Sequence, residues 1–229
     1  MPRRLLFAAF LICTSAWAAP FSFSSSFEGG NTEGWTIFTP PSTVGGLGPT
    51  APLTGGFSGS GYLEAEDAAN GFLYFIAPGS WSGNLYGGTL SFYLRNLNPN
   101  VYQLTGAEPT VRIEGANSTV LYYFNLPGAA NDWTYNQLVL GNSPNWRLGS
   151  NIGSPVPTSL DIAQTLSNVA SIGILADWVS RYAGHPQGDF GPDITGLDEV
   201  RLDSVIPEPG AWLLTGAGCA LLFFLRKRA

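Results

Sequence analysis

Few residues in this chain have the types and spacing that chemistry requires. There is one histidine, His185, in the run Tyr182-Ala183-Gly184-His185-Pro186. A histidine base needs a nucleophile within hydrogen-bond reach and a carboxylate to orient it. Serines are plentiful, but no Gly-x-Ser-x-Gly elbow occurs, and Gly59-Ser60-Gly61 lacks the strand-to-helix setting of one. A histidine in such a loop reads as a surface residue. Two carboxylate pairs have the composition of a glycosidase acid and base: Glu64 with Glu66, and Asp198 with Glu199. On a strand, residues two apart share one face and lie close together, while neighbours point to opposite faces. Both pairs therefore read as solvated strand carboxylates. The only cysteines, Cys13 and Cys219, lie in the terminal segments, so the residues between them have no thiol nucleophile and no disulfide framework. The glycine-rich run Val44 to Gly61 has no lysine and leads into a strand, so it is an exposed loop and not a phosphate cradle.

The elements that would position these groups are mostly strands. Phe21 to Phe27 alternates apolar and small polar residues. Further short runs rich in β-branched and aromatic residues follow: GYLEAED, GFLYFIA, GTLSFYLRN, TVRIEG, TVLYYFNL, YNQLVL, SIGILADW and GLDEVRLDSV. Gly, Pro and Asn separate them. This pattern predicts an all-β fold, a single sandwich or jelly roll. One segment departs from it. In PTSLDIAQTLSNV, Ser159 or Asp161 can cap a helix, and the apolar residues recur at helical spacing, which predicts one short helix near 159–168.

The two ends read differently from the middle. Arg3 and Arg4, an apolar run from Leu5 to Cys13, and Ala16-Trp17-Ala18 have the order of a secretory signal peptide, residues 1–18, cut by signal peptidase after Ala18. At the other end, Pro207-Glu208-Pro209 precedes the uncharged stretch Ala211 to Leu225 and the cluster Arg226-Lys227-Arg228. Fifteen uncharged residues are close to the ~20 that cross a bilayer, and a basic end suits a cytoplasmic terminus. Residues 19–204 form the remaining domain. They carry five arginines, no lysine and fifteen carboxylates, a net charge of −10. Such a surface repels phosphate backbones and excludes nucleic acid as a partner.

Three resemblances add to this reading. Residues 205–229 resemble the PEP-CTERM sorting signal, which implies an exosortase-type transpeptidase as partner, a transient hold in the inner membrane, and delivery to the cell surface or matrix of a bacterium. The middle and C-terminal half resemble the bacterial form of the laminin IV type A (laminin B) domain. The match rests on Ala77-Pro78, Gly83, Tyr86-Gly87-Gly88, the alternating Leu90, Phe92 and Leu94, then Trp133, Trp146, LSNVASIGILADW and GLDEVRL, in the family's order. Trp81 stands where a smaller pair is usual. The front, SSSFEGGNTEGWTIF, is similar to the opening of galactose-binding-like jelly rolls. In that arrangement Phe27, Trp35, Phe92 and Val200 fill the interior.

The galactose-binding-like resemblance also implies a structural calcium where the first strand's Phe-Glu meets the last strand's Asp, which are Glu28 and Asp198 here, with Asn31, Asp67 or Asp203 as helpers. Calcium takes six to eight oxygens, so such a set has the right chemistry. Carbohydrate binding needs exposed aromatic rings. Trp81, Trp133, Trp146, Trp178, Tyr122 and Tyr182 are the candidates, with Trp81 and Trp178 chosen as the ligand platform and Trp81, between Gly79 and Gly83, expected to be the most exposed. The sequence points to a non-catalytic surface or matrix protein. A carbohydrate-binding module for exopolysaccharide and a hydrolase are the alternatives. An aromatic platform on one face would favour the former, while a cleft holding His185 or a carboxylate pair would favour the latter.

Overall fold

The computed structural model describes residues 21–39, 48–67, 72–97, 108–178 and 193–204. The signal-peptide residues, Tyr182, His185, Pro207-Glu208-Pro209, the apolar run and Arg226-Lys227-Arg228 lie outside the described residues. Those described belong to one unit, Phe21–Pro207. In chain order the strands are β1 (Ser22–Ser25), β2 (Thr36–Phe38), β3 (Leu63–Asp67), β4 (Tyr74–Ile76), β5 (Thr89–Asn96), β6 (Val111–Gly115), β7 (Val120–Tyr123), β8 (Thr134–Val139), β9 (Trp146–Arg147), β10 (Val169–Leu175) and β11 (Asp193–Asp203). The helix α1 (Ser159–Leu166) lies between β9 and β10. No helix among the described residues is long and apolar enough to cross a membrane.

Two antiparallel sheets form a β-sandwich. The first has the order β1-β11-β5-β8, with β3 also on β11. β11 is long enough to take two partners end to end: β3 along Asp193–Leu197 and β1 along Val200–Asp203. The second sheet has the order β2-β4-β10-β6-β7-β9. Period-two alternation sends one set of side chains inward from each sheet. In β5 these are Leu90, Phe92 and Leu94; in the second sheet Phe75, Ile174, Val111 and Trp146 face them across one buried core. Phe27, Trp35, Phe92 and Val200 are all in that core, as the alternation predicts.

β11 contains the one irregularity that matters for the site. Leu197 and Val200 are both buried, although residues three apart on a regular strand face opposite ways. The register against β5 shifts between Asp198 and Arg201, and Glu199 adopts φ 47°. This bulge absorbs one residue and returns Val200 to the core.

The helix forms where the sequence predicts it, but its cap is Thr158. The Thr158 hydroxyl accepts the Asp161 N–H, and the Asp161 carboxylate accepts the Thr158 N–H at 2.8 Å, a reciprocal capping box. Ile162 and Leu166 bury the inner face. The strands β2 and β9 span three and two residues, too short for alternation to mark them.

Candidate ligand-binding site

Asp198 is the centre of the site. It lies on the outer face of the first sheet, paired with Tyr93 of β5, and is nonetheless fully buried. The loop of residues 55–61 covers it. Asp198 Oδ2 accepts the Phe57 N–H at 2.8 Å, and Oδ1 accepts the Glu199 N–H at 2.7 Å. The loop can come this close because of two glycines. A Cβ on Gly56 would stand 2.6 Å from Asp198 Oδ2, and one on Gly61 would overlap the Phe27 carbonyl. Burial pushes the Asp198 carboxyl up to about 6, against the pull of its two N–H donors, and the charges of Glu199 and Glu28 add to the rise. Asp198 is therefore not a solvated strand carboxylate. The reading of Asp198 as solvated fails because the bulge and the loop enclose it.

Glu28 follows Phe27, which adopts φ 55°, and stays exposed with its charge felt at Asp198. Two of the expected helpers are elsewhere. Asp67 pairs with Asp193, five residues along β11 from Asp198, ~16 Å at the strand rise, and Asp203 lies beyond the bulge in the other direction, ~13 Å along the strand. Asn31 accepts the Glu33 N–H at 2.8 Å. Among the described residues no three His, Cys, Asp or Glu side chains come together to hold a metal. Beside Asp198 Oδ2 the Gly56 cradle carries the Ser60 and Gly61 carbonyl oxygens, while both carboxylate oxygens accept backbone N–H groups. Carboxylate and carbonyl oxygens suit calcium in donor type and no softer metal, but this set falls short of the six to eight that calcium takes.

The peptide held by Asp198 carries an aromatic ring. Phe57 stacks on Tyr93 with centroids 3.7 Å apart and planes at 17°, and Tyr93 lies 5.2 Å from Tyr135 of β8. Asp198, Tyr93 and Tyr135 are cross-strand neighbours, so the rings run across the sheet as a strip. Phe57 is 47% and Tyr135 46% exposed. One row along, Tyr62 and Trp133 meet edge to face at 5.7 Å above Gly196. Trp133 Nε1 donates to Gly55 O at 3.2 Å and fastens the loop a second time. Tyr62 donates its hydroxyl to Glu64 at 2.7 Å, and burial, with that bond, pushes its phenol up to about 12. Glu64 is thus occupied, and both oxygens of Asp198 are occupied.

The sequence-based choice of Trp81 and Trp178 as an exposed platform is corrected by their burial, 5% and 1% exposed. Trp81 ends a 3-10 turn whose glycines suggest a surface loop. Its ring packs instead on Trp35 at 5.4 Å and Phe23 at 5.7 Å, closing one end of the sandwich. Trp178 lies over Gly128 and donates Nε1–H to Leu175 O at 2.9 Å. Trp146 is buried and donates to Gly141 O. Phe57, Tyr93 and Tyr135 were not singled out by sequence. Tyr93 and Tyr135 sit at the outward phase of their strands, between inward Phe92 and Leu94 and beside inward Asn136, and that phase is the signal that marks them.

No family model matches this chain, and no curated protein does. Solved structures similar to it include the L4b domain of human laminin alpha-2, 15% identical over 63% of this chain and 80% of that one, TM-score 0.48. The CBM22-1 xylan-binding domain of Paenibacillus barcinonensis Xyn10C is 15% identical over 79% of this chain and 92% of that one, TM-score 0.42. The cellulose induced protein Cip1 is 14% identical over 80% and 97%, TM-score 0.48. At these identities the likeness is one of fold.

Proposed function

We propose that this chain is an exported, non-catalytic binding protein of the cell surface or extracellular matrix, and that it holds a neutral polysaccharide on the strip formed by Phe57, Tyr93 and Tyr135. The observation that supports this is the strip itself: Phe57 stacked on Tyr93, and Tyr135 tilted 50° beside Tyr93, with Phe57 and Tyr135 about half exposed, on a sheet face with its loop fastened by Asp198 and Trp133. Sugar C–H faces stack on such rings, and a fixed loop loses little freedom on binding. The net charge of −10 between residues 19 and 204 disfavours polyanions. Calcium belongs to the same proposal. Bound at Asp198 and Glu28, it would neutralise the buried carboxylate and stiffen the loop that carries Phe57. Pro207-Glu208-Pro209 and the residues after it serve in this reading as an exosortase address.

The test is native electrophoresis of the full-length chain through gels cast with xylan, hydroxyethylcellulose or alginate. Covering the exposed half of one ring, ~90 Å², gains ~2 kcal/mol before ordering costs. Phe57→Ala and Tyr135→Ala are each expected to weaken retardation in a neutral gel about tenfold, ~1.4 kcal/mol. No retardation in either neutral gel, or retardation unchanged in the double variant, refutes the strip as the site.

A further inference from the structure

The opposite face of the sandwich has its own cavity. On the outer face of the second sheet, register places Thr36, Ile76, Gly173, Arg112, Tyr122 and Arg147 in one row across all six strands. Gly173 has no side chain to block the row. Arg112 extends far enough for its guanidinium to lie 5.3 Å from the centre of the Phe38 ring on β2. Its Nη2–H donates to Glu114 Oε2 at 2.8 Å. Beside this pair is a groove of about 230 Å³, lined by Thr36, Phe38, Ile76, Arg112, Glu114 and Ser171.

The groove is built from two kinds of surface. Phe38, 40% exposed, and Ile76 give an apolar wall; Arg112, Glu114, Ser171 and Thr36 give donors and acceptors. Its charge is already balanced. A bound anion would leave the half-buried Arg112–Glu114 site net negative and a cation would leave it net positive, both costly away from water. Its size is below the ~300–1,000 Å³ of sites for drug-sized ligands. Polar capacity on this face is also unused by the fold. Arg112 is 9% exposed at its side chain, and its Nε–H, like the hydroxyl of nearby Tyr74, is buried without a partner. Buried polar groups left unpaired by protein usually meet water or a ligand.

We infer that this groove holds a single neutral glycosyl residue, with its C–H face on Phe38 and Ile76 and its hydroxyls on Arg112, Glu114, Ser171 and Thr36. The ligand class rests on the reading of the protein as a glycan binder; the site does not, because groove and strip lie on opposite sheets and fail separately. With both occupied, one chain bridges two polysaccharide strands.

The test is saturation-transfer NMR on the full-length chain, in a detergent without a sugar headgroup. The probes are the methyl glycosides of glucose, galactose, mannose and xylose, with glucuronate as the anionic arm. At least one neutral glycoside is expected to bind with Kd ~1–10 mM, about −3 to −4 kcal/mol. Thr36→Trp, at an exposed position of an edge strand, fills the groove and should weaken this at least tenfold with the melting temperature unchanged. Glu114→Gln leaves Arg112 unneutralised and should shift preference toward glucuronate, a change that a merely structural Glu114 would not produce. Phe57→Ala should leave the signal intact. The inference is overturned if no neutral glycoside binds, if glucuronate binds the unaltered chain more tightly, or if Thr36→Trp changes nothing. It is equally overturned if Phe57→Ala removes the signal, which would assign it to the strip.

Discussion

Asp198→Asn, followed across pH with calcium removed, tests how the loop of residues 55–61 is held. The carboxyl ionises near about 6 in the folded chain, against an ordinary 3.8, because the loop excludes water from it. Each pH unit of difference is worth ~1.4 kcal/mol, so the ionised group costs the fold at most ~3 kcal/mol, and ~1.5 kcal/mol if water entering the loop screens half of that. The folded state binds this proton more tightly than the unfolded one, so stability falls as pH rises between the two values. The contribution is fully present below pH 4 and is lost as pH passes through 6. Other carboxylates titrate over the same range. The difference between the unaltered chain and Asp198→Asn therefore isolates the effect, since asparagine does not ionise. Urea melts read by tryptophan fluorescence, in chelator, from pH 3 to 7.5, should show that difference changing by ~1.5–3 kcal/mol. Calcium should act with the opposite sign, stabilising the ionised form. At 100 times its Kd it adds ~2.7 kcal/mol at pH 7.5, and the gain should fade as pH falls through 6. If the two chains run parallel across this pH range in chelator, the buried, loop-covered carboxylate is wrong. If calcium leaves both unchanged at pH 7.5, the metal proposal is wrong while the first result stands.

Asn136 is buried in β8 and its amide replaces backbone pairing at Gly128: Oδ1 accepts the Gly128 N–H at 2.8 Å and Nδ2 donates to Gly128 O at 3.1 Å. Asn136→Leu leaves both groups unpaired and should destabilise by ~2–4 kcal/mol in urea melts; a change under ~1 kcal/mol contradicts this. For the C-terminal segment, replacing Pro207-Glu208-Pro209 by three alanines should leave the chain uncleaved and membrane-retained, with a C-terminal epitope tag still present on fractionation. A simple anchor would be indifferent to that change, because Ala211 to Leu225 is untouched.

The sheets were legible because their signal is local. Leu90, Phe92 and Leu94 alternate with Ser91, Tyr93 and Arg95, and no distant contact is needed to read which set faces in. The helix was legible for the same reason, although its cap was read as Ser159 or Asp161 and is Thr158, since all three side chains can accept and only the reciprocal bonds between Thr158 and Asp161 decide. Asp198 was legible as a candidate and not as a buried group. Its burial comes from a loop some 140 residues earlier in the chain and from a bulge that nothing in GLDEVRL announces. Trp81 was misread because flanking glycines mark a turn without saying what lies over it, and here Phe23 and Trp35 do.

The distribution of aromatic residues carries the functional argument. A buried tryptophan needs an acceptor for its N–H. Trp35 finds Ser25 Oγ, Trp146 finds Gly141 O and Trp178 finds Leu175 O, so the interior satisfies them. Among the described residues the exposed aromatic rings are Phe38, Phe57, Tyr86 and Tyr135, and on the first sheet Phe57 and Tyr135 flank Tyr93. Phe57 keeps about half of its ring in solvent, yet three separate bonds hold its loop in place: Asp198 at Phe57, Trp133 at Gly55, and the Gly56 N–H at Ser60 O. Fixing an exposed apolar ring in one orientation gives up conformational entropy. A binding surface recovers that loss when a ligand arrives, because the ring is already ordered. With Arg112 and Glu114 arranged on the far sheet, the sandwich core separates the two faces proposed as glycan sites, and occupation of both would let one chain link two polysaccharides.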